Sequence, residues 1–141
     1  MSRMMALDVG DKTIGVAISD PLGLTAEPLT VLRRTESIKA DLRAVEELIE
    51  RHEVSRVVVG IPLIMEGQEG AQAVKVRQFV DRLAKRLRIP VVTWDERMTT
   101  VEAEQILLEA DASREKRRRV IDKVAAAIIL RSYMEANRER D

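Results

Sequence analysis

The chain has 141 residues, no cysteine, and 24 basic against 24 acidic side chains. That length suits one domain, residues 1–141, with a core large enough to fold unaided. The missing thiols exclude disulfides, thiolate metal sites and cysteine nucleophiles, and the neutral total excludes a uniformly basic binder while leaving room for opposed patches. Residues Met1 to Gly10 lack the apolar core of a secretory signal, and no apolar run approaches the ~18 residues of a membrane helix. The expectation is a cytoplasmic protein with no membrane partner. Aromatic residues are limited to Phe79, Trp94 and Tyr133, too few for a base-stacking platform. Any grip on nucleic acid must then come from charge and metal. His52 is the one histidine, so metal chemistry would use oxygen ligands, which favour Mg²⁺ or Mn²⁺.

In chain order, Arg3 to Val9 is an apolar run holding one carboxylate, and Thr13 to Ser19 is rich in β-branched residues. Gly10-Asp11-Lys12 between them is a hairpin signal. Asp20-Pro21-Leu22-Gly23 is a turn before a third extended run, Ala26 to Arg33. Strands with such short links are antiparallel. The period then changes. Ile38, Leu42, Val45, Leu48 and Ile49 recur at helical spacing behind a cap at Thr35 or Ser37. Arg56 to Gly60 reads as a strand buried on both faces, ended by Pro62. A loop from Leu63 to Gly70 precedes a second helix marked by Val76, Phe79, Val80, Leu83 and Leu87. Pro90 to Trp94 is a fifth strand. Thr99 or Thr100 caps a third helix through Ala110. Ser113 caps a fourth, with Ile121, Val124, Ala125, Ile128 and Ser132 along one face. The order β-β-β-α-β-α-β-α-α predicts an α/β fold: one five-stranded mixed sheet, three antiparallel strands followed by parallel crossovers, flanked by helices.

Three carboxylates stand out. Asp8 shares strand phase with Met4 and Ala6, and a charge inside such a run is costly unless a metal or cation offsets it. Gly10, two residues on, would let a phosphate approach the backbone; a hairpin-capping role for Asp8 is the alternative. Asp95-Glu96 follows a strand, where α/β sheets place their sites. Glu96 is in phase with Val92 and Trp94, and Asp95 with Val91 and Thr93; the pattern does not choose between them. Asp122 sits on the last helix beside small residues, with a surface pair to Arg118 or Arg119 as the alternative. Just before it lies a basic run, Arg114, Lys116, Arg117, Arg118 and Arg119. Arginine forks suit phosphate, and the neighbouring acids favour contact with a nucleic-acid backbone over a merely solvated face. Three such carboxylates converging on a sheet would hold two divalent ions ~4 Å apart, the arrangement that activates water and stabilises a leaving oxygen in phosphodiester cleavage.

The stretches Leu7-Asp8-Val9-Gly10-Asp11-Lys12-Thr13-Ile14-Gly15-Val16-Ala17 and Ser19-Asp20-Pro21 resemble the opening of the YqgF/RuvX family. Trp94-Asp95-Glu96-Arg97-Met98-Thr99-Thr100 and Val120-Ile121-Asp122-Lys123-Val124-Ala125-Ala126 are similar to its later motifs, in order and spacing. The resemblance implies a ribonuclease-H-like fold and a metal-dependent nuclease, with Asp8, Glu96 and Asp122 as the catalytic and metal-binding acids. It also selects Glu96 over Asp95. Lys123 and Arg97 join the basic run as expected nucleic-acid contacts. Members of the family are described as nucleases maturing the 5′ end of the small-subunit rRNA precursor, and some as Holliday-junction-resolvase-like. RNA, within ribosomal precursor particles, is thus the favoured partner and DNA the second, for a monomer or homodimer. One departure is visible. Gly60-Ile61-Pro62-Leu63-Ile64-Met65-Glu66-Gly67 carries Ile64 where the family often has an amide, and Glu66 where it has Asp. Two rival readings are an ATP-binding module of related fold and a non-catalytic RNA-binding module. The first would need a second domain to enclose nucleotide and leaves the basic helix without a role.

Overall fold

A computed structural model describes residues 3–63, 69–96 and 114–137, and for 114–123 it describes the backbone alone. The strands are β1 (Arg3–Val9), β2 (Thr13–Ser19), β3 (Ala26–Arg33), β4 (Val54–Ile61) and β5 (Val91–Asp95). The helices are α1 (Ile38–Arg51), α2 (Ala71–Arg86) and α3 (Arg114–Asn137). The helix expected from Thr99 or Thr100 to Ala110 lies outside the described residues, as do Ile64 and Glu66.

The sheet order is β3-β2-β1-β4-β5. β1 pairs antiparallel with β2 and parallel with β4; β2 pairs antiparallel with β3, and β4 parallel with β5. This is the mixed sheet the element order predicts. β1 is central because both its faces are apolar: Met5, Ala6 and Leu7 are completely buried. β3 is an edge strand, where Pro28, which cannot donate to a ladder, is tolerated. The β2–β3 register shifts between Val16 and Ala17, and Ala17 faces that proline.

Two cores follow from strand alternation. Met5, Leu7 and Val9 pack with Val57, Val59 and Ile61 against Leu42, Val45 and Ile49 of α1 and Val76, Phe79, Val80 and Leu83 of α2. On the opposite face Ala6, Ala17 and Val58 meet Ala126, Ile129, Leu130, Tyr133 and Met134 of α3. Alanines on both sides of this contact let the helix sit close to the sheet.

The stripe on α3 differs from the expected one. Val124, Ala125 and Ser132 are only half-buried, while the row through Ala126, Ile129, Leu130, Tyr133 and Met134 faces the sheet. A segment as apolar as Val124 to Leu130 offers two helical stripes, and packing against Ala6 and Ala17 selects one. β4 and α2 also begin earlier than their periodicity suggests, since Val54 and Ala73 are buried as well. Ser37 caps α1, its side chain accepting from the Ala40 amide. His52 stands at the C-cap of α1.

Candidate active site

The parallel strands β1, β4 and β5 end side by side: Leu7 is level with Val59, and Gly60 with Trp94. Asp8 and Glu96 therefore emerge at one edge of the sheet. Alternation puts Asp8 on the face of Met4 and Ala6, which is the α3 face, where Val92 and Trp94 also pack. Glu96 follows Trp94 in that phase. Of the two neighbouring acids, Glu96 is thus the one that shares the α3 face with Asp8.

The two carboxyls meet. Burial, then the adjacent Asp8 charge and a hydrogen bond with the Asp8 side chain, then the Asp95 charge, push the Glu96 carboxyl from its ordinary 4.5 up to about 8. Two acids this close cannot both ionise freely, which adds to burial in holding the Glu96 carboxyl protonated at neutral pH. What makes room for them is Gly60. A Cβ at that position would lie 2.7 Å from Glu96 Cγ and 2.6 Å from Ile129 Cδ1. Both are far inside ordinary contact, so only a residue without a side chain lets Glu96 and α3 cross β4 here. Sequence reasoning passed over Gly60 as part of a buried strand. A lone glycine inside a strand run is nevertheless a signal of close approach.

Helix α3 is pinned against the sheet at a defined height. Trp94 Nε1 donates to Ser132 Oγ at 3.0 Å, and Arg56 Nη1 donates to Tyr133 OH at 2.8 Å. The Trp94 and Tyr133 rings meet edge-on, with centroids 5.6 Å apart. The helix runs antiparallel to β4, with Tyr133 near Arg56 and Ile129 near Gly60. Its earlier turns therefore lead toward the edge that carries Asp8 and Glu96. Asp122 is four residues before Ala126 and seven before Ile129, so its backbone position belongs to the sheet-facing row. Arg114, Lys116, Arg117, Arg118, Arg119 and Lys123 occupy the first turns of the same helix, and Arg97 lies outside the described residues. Among the described residues no group of three or more acids or histidines gathers in a way that could hold a metal; Asp8 and Glu96 are two acids of the expected three.

The hairpin beyond Asp8 is tied down by residues the sequence pattern did not single out. The Gly10 amide donates to Thr13 O at 2.8 Å. Arg34 Nη1 donates to Gly10 O at 2.9 Å, and Arg34 Nε to Asp41 Oδ2 at 3.1 Å. Asp41 Oδ1 accepts from the Thr35 amide and hydroxyl at 2.9 and 3.0 Å. Burial alone would raise the Asp41 carboxyl; these bonds from Thr35 and Arg34 outweigh it and hold the group below its ordinary value. All three aromatic residues are spent on packing: Phe79 and Tyr133 are buried, and Trp94 packs partly buried beneath α3.

Comparison with known proteins gives the family and the fold. Residues 2–136 match the model of the family described as RuvX, Holliday junction resolvase. A Myxococcus xanthus protein is 54% identical over 139 residues, covering 99% of this chain and 91% of its own. A Desulforamulus reducens protein is 49% identical over 134 residues, covering 95% and 97%. Both carry the name "Putative pre-16S rRNA nuclease". Among solved structures, Thermus thermophilus RuvC in complex with a Holliday junction substrate superimposes with a TM-score of 0.58 at 18% identity, covering 95% of this chain and 96% of that one. The fowlpox virus Holliday junction resolvase gives 0.56 at 15% identity, covering 95% and 99%. At such identities the likeness speaks for the fold, which is the ribonuclease-H-like sheet expected from the motifs. Matched along nearly its whole length and sharing about half its residues with these relatives, the chain belongs to the RuvX family.

Proposed function

We infer that this protein is a metal-dependent nuclease that hydrolyses nucleic-acid phosphodiesters in the cytoplasm, with the 5′ end of pre-16S rRNA as its favoured target. The observation that carries this reading is the Asp8–Glu96 pair, packed over Gly60 at the sheet edge. Two carboxylate oxygen donors placed together suit a hard divalent ion, Mg²⁺ or Mn²⁺. Asp8 and Glu96 would hold it, and Asp122, on the sheet-facing row of α3, is the third proposed ligand. When bound, such ions activate water and stabilise the leaving oxygen.

The chain's own part is binding and orientation. Glu96 must release its proton before both carboxyls can bind a cation, so occupancy rises with pH. Gly10 closes the hairpin beside Asp8, its amide donating to Thr13 O. Arg34 holds that hairpin through the Gly10 carbonyl. The proposed phosphate contacts are Arg97, Arg114, Lys116, Arg117, Arg118, Arg119 and Lys123. Ribosomal precursor RNA is preferred as substrate because the relatives' names specify it. A four-way DNA junction is the second reading, favoured by the family's own description.

The test sets pre-16S rRNA, a four-way junction and single strands side by side, with Mg²⁺ and with Mn²⁺. Cleavage of precursor RNA that disappears in Asp8→Asn, while RNA binding persists, is the expected result. Cleavage surviving Asp8→Asn in clean protein would show the site to be misassigned. Preference for the junction would move the substrate to DNA.

A further inference from the structure

We propose that the groove between the start of α1 and the exposed face of α2 is a second phosphate track, which binds the sugar–phosphate backbone of the nucleic acid beyond the cleavage site. The inference rests on the nuclease reading for the identity of the occupant. The groove measures about 510 Å³ and is lined by Arg34, Ile38, Lys75, Phe79, Arg82 and Lys85, among others. Its cations stand against one lining carboxylate, Asp81.

Their placement follows from helix geometry. Lys75, Arg82 and Lys85 stand at i, i+7 and i+10 of α2, so they share one face. All three are exposed, while Val76, Val80 and Leu83 turn into the core and Phe79, one turn from Lys75 and Arg82, lies between the two faces. Ten residues of helix span about 15 Å, the length of roughly four nucleotides at ~3.4 Å per step of a strand. Other cations of α2 are engaged: Arg77 pairs with Glu69 and Arg86 with Glu46. Among the described residues Arg82 and Lys85 have no carboxylate partner. Lys75 approaches Asp11 at 3.5 Å, with both side chains more than 60% exposed. Such a surface pair is worth little and yields readily to a phosphate.

The groove is also continuous with the proposed active site. α2 begins at the edge where β4 ends, the edge that carries Asp8 and Glu96. Asp11, the partner of Lys75, belongs to the hairpin that follows Asp8. Arg34 forms the junction. It bonds Gly10 O on one side, and its guanidinium carbon lies 5.4 Å from the centroid of the Phe79 ring on the groove floor. A strand whose phosphate meets Asp8 and crosses the hairpin at Gly10 would next meet Lys75, then Arg82 and Lys85. Helix α3, whose first turns carry the basic run, packs through Ala126 to Met134 on the other face of the sheet, so the two sets of cations would hold the substrate on both sides of the scissile bond.

The experiment measures binding of labelled RNA and of a labelled DNA junction by fluorescence anisotropy without divalent metal, across a salt series. Wild type is compared with the double variant Arg82→Glu/Lys85→Glu. Both positions are exposed, and circular dichroism checks the fold. The control is Arg51→Glu, an exposed charge reversal at the end of α1, near the opposite edge of the sheet. We expect the double variant to bind at least tenfold more weakly at low salt. The slope of log K against log salt should fall by about one to two, as for the loss of one or two phosphate contacts. Arg51→Glu should stay within about twofold of wild type. Equal binding by double variant and wild type, equal losses in the double variant and in Arg51→Glu, or no binding of either nucleic acid by wild type would each overturn the proposal. Cleavage is scored separately with Mn²⁺. An inactive wild type whose binding still depends on Arg82 and Lys85 would sink the nuclease reading and leave the track. An active wild type with indifferent groove charges would do the reverse.

Discussion

Glu96 turns proximity into a measurable property. Its carboxyl titrates near 8 in the fold and near 4.3 in an unfolded chain. Between those values the folded state holds a proton that the unfolded state has lost. The metal-free protein should therefore lose stability as pH rises from about 5 to 8, and level off above. Thermal melts in chelator across that range check this; Glu96→Gln should flatten the curve. Adding Mn²⁺ near pH 7 should release about one proton and raise the melting temperature, which calorimetry in two buffers of different ionisation enthalpy would read. A melting curve that rises with pH in chelator would contradict the proton held on Glu96. Gly60 belongs to the same scale. Gly60→Ala should cost about 1–3 kcal/mol through overpacking, and weaken Mn²⁺ binding because Glu96 must move. Asp95 versus Glu96 could not be read from spacing, since alternation says which residues share a face and not which face holds the site.

At the level of elements, the hairpin after β1 and the start of α1 form one unit. Arg34 joins them: it bonds Gly10 O in the hairpin and Asp41 in the helix. Asp41 is 4% exposed, so removing its charge leaves Arg34 and the Thr35 amide without their acceptor. Asp41→Ala should destabilise the fold by about 2–3 kcal/mol, below the usual cost of breaking a fully buried pair because Arg34 keeps some contact with water. Urea unfolding would measure it, and an effect under 0.5 kcal/mol would mean that the tether is idle. The Asp41 carboxyl lies below its ordinary value, so this stabilisation is present above about pH 4 and is lost only as the group protonates in acid. Most elements were visible from periodicity: three strands by β-branching and hairpin links, α1 by its apolar stripe and cap. Asp41 was not, because a single acid in the first turn of a helix looks the same whether it faces water or an arginine. The stripe on α3 was misplaced for a related reason. Where nearly every residue is apolar, period carries little information, and the close fit of Ala126 to Ala6 and Ala17 chooses the face.

Over the whole molecule, one sheet separates two cores, and β1 contributes to both. A shared central strand couples their unfolding, so we expect a single calorimetric transition for residues 1–141. Its enthalpy should be on the order of 100 kcal/mol, at ~0.7 kcal/mol per residue. Two resolved transitions would contradict one domain. No helix among the described residues is long and apolar enough to cross a membrane, in keeping with the hydropathy of the sequence. By itself the sequence determined the order of the described strands and helices, the absence of thiol chemistry and of a histidine-rich metal site, the family, and the three acids worth watching. Each of these depends on residue type and on spacing along the chain. Only the tertiary structure decided that Asp8 and Glu96 meet, that Gly60 makes room for them, and that Arg34 and Asp41 hold the hairpin. It also decided that Lys75, Arg82 and Lys85 line a groove beside Asp11. These are relations between residues remote in sequence, created where parallel strands end level with one another and helices pack across them, and no local pattern encodes that distance.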